Sequence, residues 1–400
     1  MKNLKSDFPI FANNKGLVYL DNAASTQKPA YVIDGVSDFV SKDYSNIHRG
    51  LYSLSEKSEE LYHQSKILVG EFINCKASEV IYTYNATYGI NIIAQSLINS
   101  GFLKKGDSIL LGIWEHHSDI LPWMILGQQF GLNIKFFEIG NDFDINWSDF
   151  DKKYDKTVKL VACGHVSNVT GKIYDMKKIK SKLNPETFFI VDGSQSVPNI
   201  AVDVQDIGCD CLVFTGHKMM AYTGIGVVYL KLDWIKKLMP MFGGGGTVRD
   251  VNQDSFEFFQ SNDKFESGTP NIIGAVSLSK AIEYIKSIGG IEAIHKHEES
   301  LMKHTLDGFA ALGNKISIVG PKDIDSRVGV FSFNIMTNTN QNIVGEAFAE
   351  KNICVRCGGH CAYPLHKFLG KNGTCRMSLY VYNTKDDINQ FFEALEEILT

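Results

Sequence analysis

The chain is predicted to be α/β, with a large domain built on a mainly parallel sheet covered by helices and a smaller C-terminal α/β domain. Three observations carry this prediction. From residue 80 onward, short apolar runs alternate with segments of helical periodicity, the pattern of strands joined by crossover helices. Two of those runs stop at polar residues, Asp192 and Thr215-Gly216-His217-Lys218, where a sheet edge would meet a ligand. Paired glycines, Gly289 and Gly290, interrupt a long helical pattern, and a second set of strand-like runs follows.

In chain order, residues 80–84 read as a strand, and Ile90, Ile93, Ala94, Leu97 and Ile98 then recur at helical spacing. Residues 108–111 read as a strand, 121–130 as a helix, 134–139 and 160–163 as strands, and 176–183 as a helix. Phe188-Phe189-Ile190-Val191 and Leu212-Val213-Phe214 are apolar runs that end at Asp192 and Thr215. Residues 226–230 follow so closely that they must be antiparallel or a short return strand. Helical patterns cover 271–288 and 291–312, and 317–319, 328–335, 353–355 and 376–382 supply the smaller unit's strands. The boundaries drawn are 16–289 for the larger domain and 1–15 with 290–400 for the smaller.

Bulk composition excludes several function classes. A chain of 400 residues is long for one compact unit. Its net charge of -5, with no basic cluster interleaved with aromatics, gives no nucleic-acid footprint. Residues 1–16 scatter their polar side chains and resemble neither a signal peptide nor a membrane span, so a cytoplasmic location is expected. Eight cysteines in such a chain are free thiols or chemistry rather than a disulfide framework. Cys75, Cys163, Cys209, Cys211 and Cys375 lie in or beside apolar runs and read as small buried hydrophobes. Cys354, Cys357 and Cys361 crowd into one segment that looks like a metal site. Adjacent His360 and Cys361 would have difficulty reaching one tetrahedral ion together, so no metal is assigned.

Lys218 and Asp192 are the candidate chemical centre. An amine and a carboxylate at two strand ends suit pyridoxal 5'-phosphate, which needs a lysine for covalent attachment and an acid opposite its pyridinium nitrogen. A strand-end ion pair is the other reading. Asn85-Ala86-Thr87-Tyr88-Gly89 joins a strand to a helix, and exposed N–H groups there would seat a phosphate, although Asn85 or Thr87 could be a simple N-cap. Trp114-Glu115-His116-His117-Ser118 brings imidazoles to the same edge, able to stack on an aromatic cofactor or move protons.

With these residues assembled, a family resemblance emerges. It rests on Tyr19-Leu20-Asp21-Asn22-Ala23-Ala24, Asn46-Ile47-His48-Arg49-Gly50, residues 87–91, Glu115-His116-His117, His165-Val166-Ser167-Asn168, residues 192–195, Gly216-His217-Lys218, residues 265–271 and residues 356–362. Over nearly its whole length the chain resembles a SufS-type (group II) cysteine desulfurase, a fold type I pyridoxal-phosphate-dependent transferase of the class V aminotransferase superfamily. The resemblance implies a seven-stranded sheet in the large domain and conversion of L-cysteine to L-alanine. Sulfur would pass to an enzyme persulfide for iron-sulfur clusters or other sulfur cofactors.

The site roles it implies are specific. Lys218 would hold the cofactor and shuttle the substrate's α-proton, Asp192 would keep the ring nitrogen protonated, and Gln195 would donate toward the phenolic oxygen. His116 would stack on the ring as acid or base. Ala86, Thr87, Thr215 and His217 would bind the phosphate, and Thr269 would reach the phosphate of a neighbouring subunit, making a functional homodimer. Arg376 would clamp the substrate carboxylate with help from Asn168, and Arg356 and His48 would complete the substrate site. Cys361 would be the nucleophile, with Arg356 and His360 favouring its thiolate, and a protein of the SufE or SufU kind would accept the sulfur. Selenocysteine lyase, cysteine sulfinate desulfinase and kynureninase-like chemistry are the related alternatives, and a zinc-binding scaffold on residues 354–361 is the alternative of another class.

Three positions depart from the family pattern. Gly359 stands before His360 where the family has a second histidine, which predicts a slacker loop. Met220-Ala221-Tyr222 replaces Tyr-Gly-Pro after the lysine, and Cys357 is an extra thiol near the nucleophile. The glycine run at 243–246 opens no βαβ unit and reads as a mobile loop near the active site.

Overall fold

Seven strands make the main sheet of the computed structural model, which describes residues 4–336 and 341–400. They are β1 (Val80–Thr83), β2 (Ser108–Gly112), β3 (Asn133–Phe137), β4 (Val158–Gly164), β5 (Phe188–Asp192), β6 (Cys211–Thr215) and β7 (Gly226–Leu230), in the order β1-β7-β6-β5-β4-β2-β3. β7 runs antiparallel to both neighbours, and every other pairing is parallel. The first six strands therefore share one carboxyl edge, at Thr83, Gly112, Phe137, Gly164, Asp192 and Thr215.

The burial pattern explains why these segments read clearly. β1, β2, β5, β6 and β7 are buried at every residue, as strands covered on both faces must be, whereas edge strand β3 is largely open. Helix Ala86–Asn99 covers one face through Ile90, Ile93, Ala94 and Leu97, and Asn85 caps it by accepting the Tyr88 amide at 2.9 Å. The close approach of this helix start to the sheet depends on Gly226: a Cβ there would lie 2.6 Å from the Asn85 backbone.

A second sheet holds β8 (Ile316–Val319), β9 (Val330–Ile335), β10 (Arg356–Gly358) and β11 (Thr374–Ser378), in the order β8-β9-β11-β10 and antiparallel throughout. The expected break at Gly289 and Gly290 falls between helices Ile272–Ser287 and Gly290–Ala311, with both glycines at positive φ. Two pairings differ from expectation. Ile353–Cys354 pairs in parallel with Val18–Tyr19 instead of joining the second sheet, and β10 follows it as a separate strand. Val18 and Leu20 accordingly pack with the smaller unit's core, among Phe331, Phe333 and Ile388. Phe8, from the 1–15 segment whose residues 1–3 lie outside the described residues, packs its ring on Tyr382 and Tyr284 at 4.6 and 5.9 Å.

Candidate active site

At the carboxyl edge a cavity of about 490 Å³ opens, of the size that small-molecule sites occupy. Ala86, Thr87, His116, Asn168, Asp192, Gln195, Thr215, His217, Lys218, Arg356, Arg376 and Cys361 all line it. Residues from both sheets thus meet there. Thr269 and His48 do not: both are exposed and lie outside the lining, His48 with its Nδ1 3.7 Å from Glu59 Oε1. The 243–246 glycine run is likewise outside, beside Ser267 and leading into a hairpin of Val248–Val251 and Phe256–Phe258.

Lys218 follows β6, and Asp192 ends the adjacent strand, so neighbouring strand ends deliver the amine and the acid. Burial lowers the Lys218 pKa to about 8, Arg376 and Arg356 pull the same way, and Asp192 opposes them. The Asp192 Oδ1 accepts the Ser194 amide at 2.8 Å. After Lys218, Met220 takes a left-handed conformation at φ 70, unusual for a residue with a Cβ. Tyr222, where the family has proline, donates its N–H to Ser277 Oγ at 3.1 Å, a bond proline cannot make.

The other side chains are already engaged in ways that set their charge. His116 Nδ1 accepts the Ser118 amide at 3.1 Å, and Ser118 Oγ lies 2.6 Å from Thr87 Oγ1, tying the imidazole to the helix start. Burial and the nearby Lys218 hold His116 neutral, with a pKa pushed down to about 3. His217 is lowered to about 4, first by burial and then by Lys218 and Lys28. Gln195 Nε2 donates to the Ala23 carbonyl at 2.7 Å.

Around Cys361 the structure differs from the expected slack loop. The His117 amide donates to the Cys361 carbonyl at 2.7 Å, and Asn168 Nδ2 donates to the His360 carbonyl at 2.8 Å. His360 and Cys361 both hold left-handed backbones, at φ 48 and 54, a strain that persists only where surroundings impose it. Tyr363 takes the space of the missing histidine, because a Cβ on Gly359 would sit 2.1 Å from its ring. His360 is not a cation beside the thiol: burial and then Arg376 push it down to about 2, and its Nε2 pairs with Thr374 Oγ1 at 2.9 Å. Positive charge comes instead from Arg356 and Arg376, each of which interacts electrostatically with Cys361.

Sequence reasoning missed Asp21 as the anchor of both arginines. Its carboxylate takes Arg356 Nε and Nη2 at 3.1 and 2.8 Å, and Arg376 Nη2 at 3.3 Å. Arg376 Nη1 also donates to the Asn168 carbonyl at 2.9 Å, so Asn168 connects the guanidinium to the Cys361 loop. Glu115 and Asp119 were missed too. They form a buried acid pair with Glu115 in the cavity lining, both raised well above ordinary carboxyl values, Glu115 by burial and then Asp119, Asp119 by burial and then Asp192, and Glu115 accepts the Gly164 amide at 2.7 Å. Among the described residues, no three His, Cys, Asp or Glu side chains are grouped to hold a metal ion.

The residues fit pyridoxal phosphate on grounds internal to this chain. Thr215 Oγ1, Ser194 Oγ and Arg376 Nε are buried without a hydrogen-bond partner among the described residues, and such groups call for an acceptor. The sheet order, with the lysine and acid on neighbouring strand ends, defines a fold type I α/β enzyme, the architecture built around that cofactor. Within that class the chain belongs to the aminotransferase class-V family, whose model matches residues 18–391, and it groups there with the cysteine desulfurases. It is 36% identical over 400 residues to a probable cysteine desulfurase of Pyrococcus abyssi, covering 100% of this chain and 97% of the relative. A probable cysteine desulfurase of Staphylococcus epidermidis is 37% identical over 402 residues, covering 99% and 96%. A solved cysteine desulfurase from Thermococcus onnurineus superposes with a TM-score of 0.94 at 35% identity, covering 100% of this chain and 98% of that one.

The lowered Lys218 pKa has a measurable consequence. The amine must be neutral to attack an aldehyde, and its neutral fraction rises with pH through about 8. At pH 7 that fraction is about one in ten, against about one in three thousand for an ordinary lysine. Capture of added pyridoxal phosphate by cofactor-free enzyme is expected to accelerate about tenfold from pH 6 to 7 and to level off above about pH 8. A rate still climbing at pH 10 would show an unshifted lysine.

Proposed function

We propose that the cavity binds pyridoxal 5'-phosphate on Lys218, converts L-cysteine to L-alanine and passes the sulfur to Cys361 as a persulfide. The observation that carries this reading is the meeting of Lys218, Asp192, Arg376 and Cys361 in one cavity although they come from both sheets. When bound, the cofactor supplies an electron sink for the bond changes at the substrate's α- and β-carbons. Ala86, Thr87, Thr215 and His217 would hold its phosphate at a helix N-terminus. Asp192 would serve the ring nitrogen and Gln195 the phenolic oxygen, while neutral His116 would stack on the ring and be able to accept a proton. Arg376 orients the substrate carboxylate through its guanidinium fork, with Asn168 and Arg356 beside it. Lys218 moves the α-proton, and Cys361 attacks the substrate sulfur as a thiolate in the field of the two arginines. Alanine matched by sulfur on Cys361 at the earliest times of the first turnover tests this. Alanine formed while Cys361 never carries sulfur contradicts it.

The residues 16–289 serve as the cofactor unit, and 1–15 with 290–400 carry the nucleophile loop. The working form is a homodimer: exposed Thr269 does not line its own cavity, and it would reach the partner's phosphate. His48, also outside its own cavity, is assigned to the substrate site on the same basis. Thr269→Ala should loosen the cofactor, and mixing it with Lys218→Ala should restore one complete site per heterodimer. A fully active monomer would refute this. Cys361 and Tyr363, both exposed at the cavity rim, present the sulfur to an acceptor protein of the SufE or SufU kind for iron-sulfur cluster or related cofactor assembly. No helix among the described residues is long and apolar enough to cross a membrane, which suits the cytoplasmic location proposed.

A further inference from the structure

Two cysteines outside the roles above face each other across neighbouring strands. Cys357 on β10 is directly opposite Cys375 on β11, and their sulfurs lie 2.7 Å apart. That is far inside an ordinary contact and close to bond-forming distance for a pair whose disulfide would measure about 2.05 Å. Their surroundings are unequal. Cys375 is 2% exposed in the smaller core, and its sulfur also lies 3.5 Å from the Gln341 carbonyl. Cys357 lines the same cavity as Cys361, from which Gly358, Gly359 and His360 separate it in sequence. The hydrogen bond between the two thiols lowers the pKa of Cys357 and raises that of Cys375 far above the ordinary thiol value. The nucleophilic sulfur is therefore on the cavity side, and its partner waits behind it.

We propose that Cys357 and Cys375 form a second sulfur-handling site, a dithiol that takes sulfane sulfur from Cys361 and discharges it as sulfide when no acceptor protein is docked. The proposal rests on Cys361 carrying the persulfide. In the first step the Cys357 thiolate attacks the outer sulfur of that persulfide. The Cys361–sulfur bond breaks, a Cys357–sulfur bond forms, and Cys361 leaves as a thiolate. In the second step Cys375 attacks Cys357 Sγ, its proton passing to the departing sulfur, which leaves as hydrosulfide. A Cys357–Cys375 disulfide remains. The sulfane sulfur has gained two electrons and the two thiols have lost them, so no outside oxidant is needed. Closure would tie β10 to β11 until a thiol reductant reopened the pair.

The test gives the holoenzyme one equivalent of L-cysteine without reductant or acceptor, measures sulfide, and maps sulfur and disulfides by peptide mass spectrometry. The expected wild-type result is stoichiometric sulfide with a Cys357–Cys375 disulfide. Cys375→Ala should release no sulfide and should retain one added sulfur on Cys357. Cys357→Ala should retain it on Cys361. Sulfide released equally by the wild type and Cys357→Ala would overturn the proposal. In Cys357→Ala, persulfide on Cys361 beside a wild type that closes no disulfide overturns the dithiol alone. Its absence from Cys361 overturns the Cys361 reading and this one with it. The wild-type map needs no variant, so a misfolded substitution does not protect the idea.

Discussion

Cys361→Ser is expected to lose alanine formation by on the order of 10³-fold or more, the scale on which removing a nucleophile acts, while keeping its bound cofactor and the spectral change on adding L-cysteine. The reason is spatial division of labour. Lys218, Asp192 and the residues proposed to bind the phosphate belong to the main sheet's edge, whereas Cys361 rides on the connection between β10 and β11. Removing one thiol from that connection leaves the cofactor's contacts in place. Serine offers a similar size but no thiolate near neutral pH, so the substrate sulfur has nowhere to go. A Cys361→Ser enzyme that makes alanine at the wild-type rate would move lyase chemistry ahead of the persulfide route. Failure of Cys357→Ser, with Cys361→Ser active, would show that the wrong thiol had been chosen.

Lys218→Ala is expected to be colourless or only weakly coloured and to turn over about 10⁴-fold more slowly, because it loses both the covalent anchor and the group that moves the α-proton. Asp192→Asn separates these effects. It should keep the cofactor and lose much of the rate, since a neutral amide no longer holds the ring proton. Binding and absorbance titrations against the rate of alanine formation read the two variants. Full activity in Lys218→Ala would place the anchor elsewhere, and unchanged activity in Asp192→Asn would assign the ring nitrogen to another residue.

Much of the main sheet was legible because its chemistry is local. Phe188–Asp192 and Cys211–Thr215 are apolar throughout and stop at polar residues, so their ends, and therefore Asp192 and Lys218, could be placed from sequence. The antiparallel course of Gly226–Leu230 follows from too short a connection for a crossover. What escaped depends on distant partners. Arg356–Gly358 is three residues with no apolar period, and its strand exists only because Thr374–Ser378 pairs with it. Ile353–Cys354 and Val18–Tyr19 are two-residue strands far apart in sequence. Asp21 lies in a quoted motif, yet its hold on Arg356 and Arg376 comes from folding together residues more than three hundred positions apart. The loop around Cys361 looked slack from Gly358 and Gly359. Its clamps, the His117 amide and the Asn168 amide group, lie on other elements, and Tyr363 fills the gap beside Gly359. His360 read as a charge beside the thiol, but charge depends on burial, which no spacing reveals.

The most direct measurement is a rapid quench of the holoenzyme within its first turnover on L-cysteine, with alanine counted and the sulfur located by peptide mass spectrometry. The expected result is one added sulfur on Cys361 at the earliest times, equal to the alanine formed and present in Cys357→Ala as well. Alanine accumulating while Cys361 remains a free thiol, or sulfur found first on any other cysteine, would contradict it.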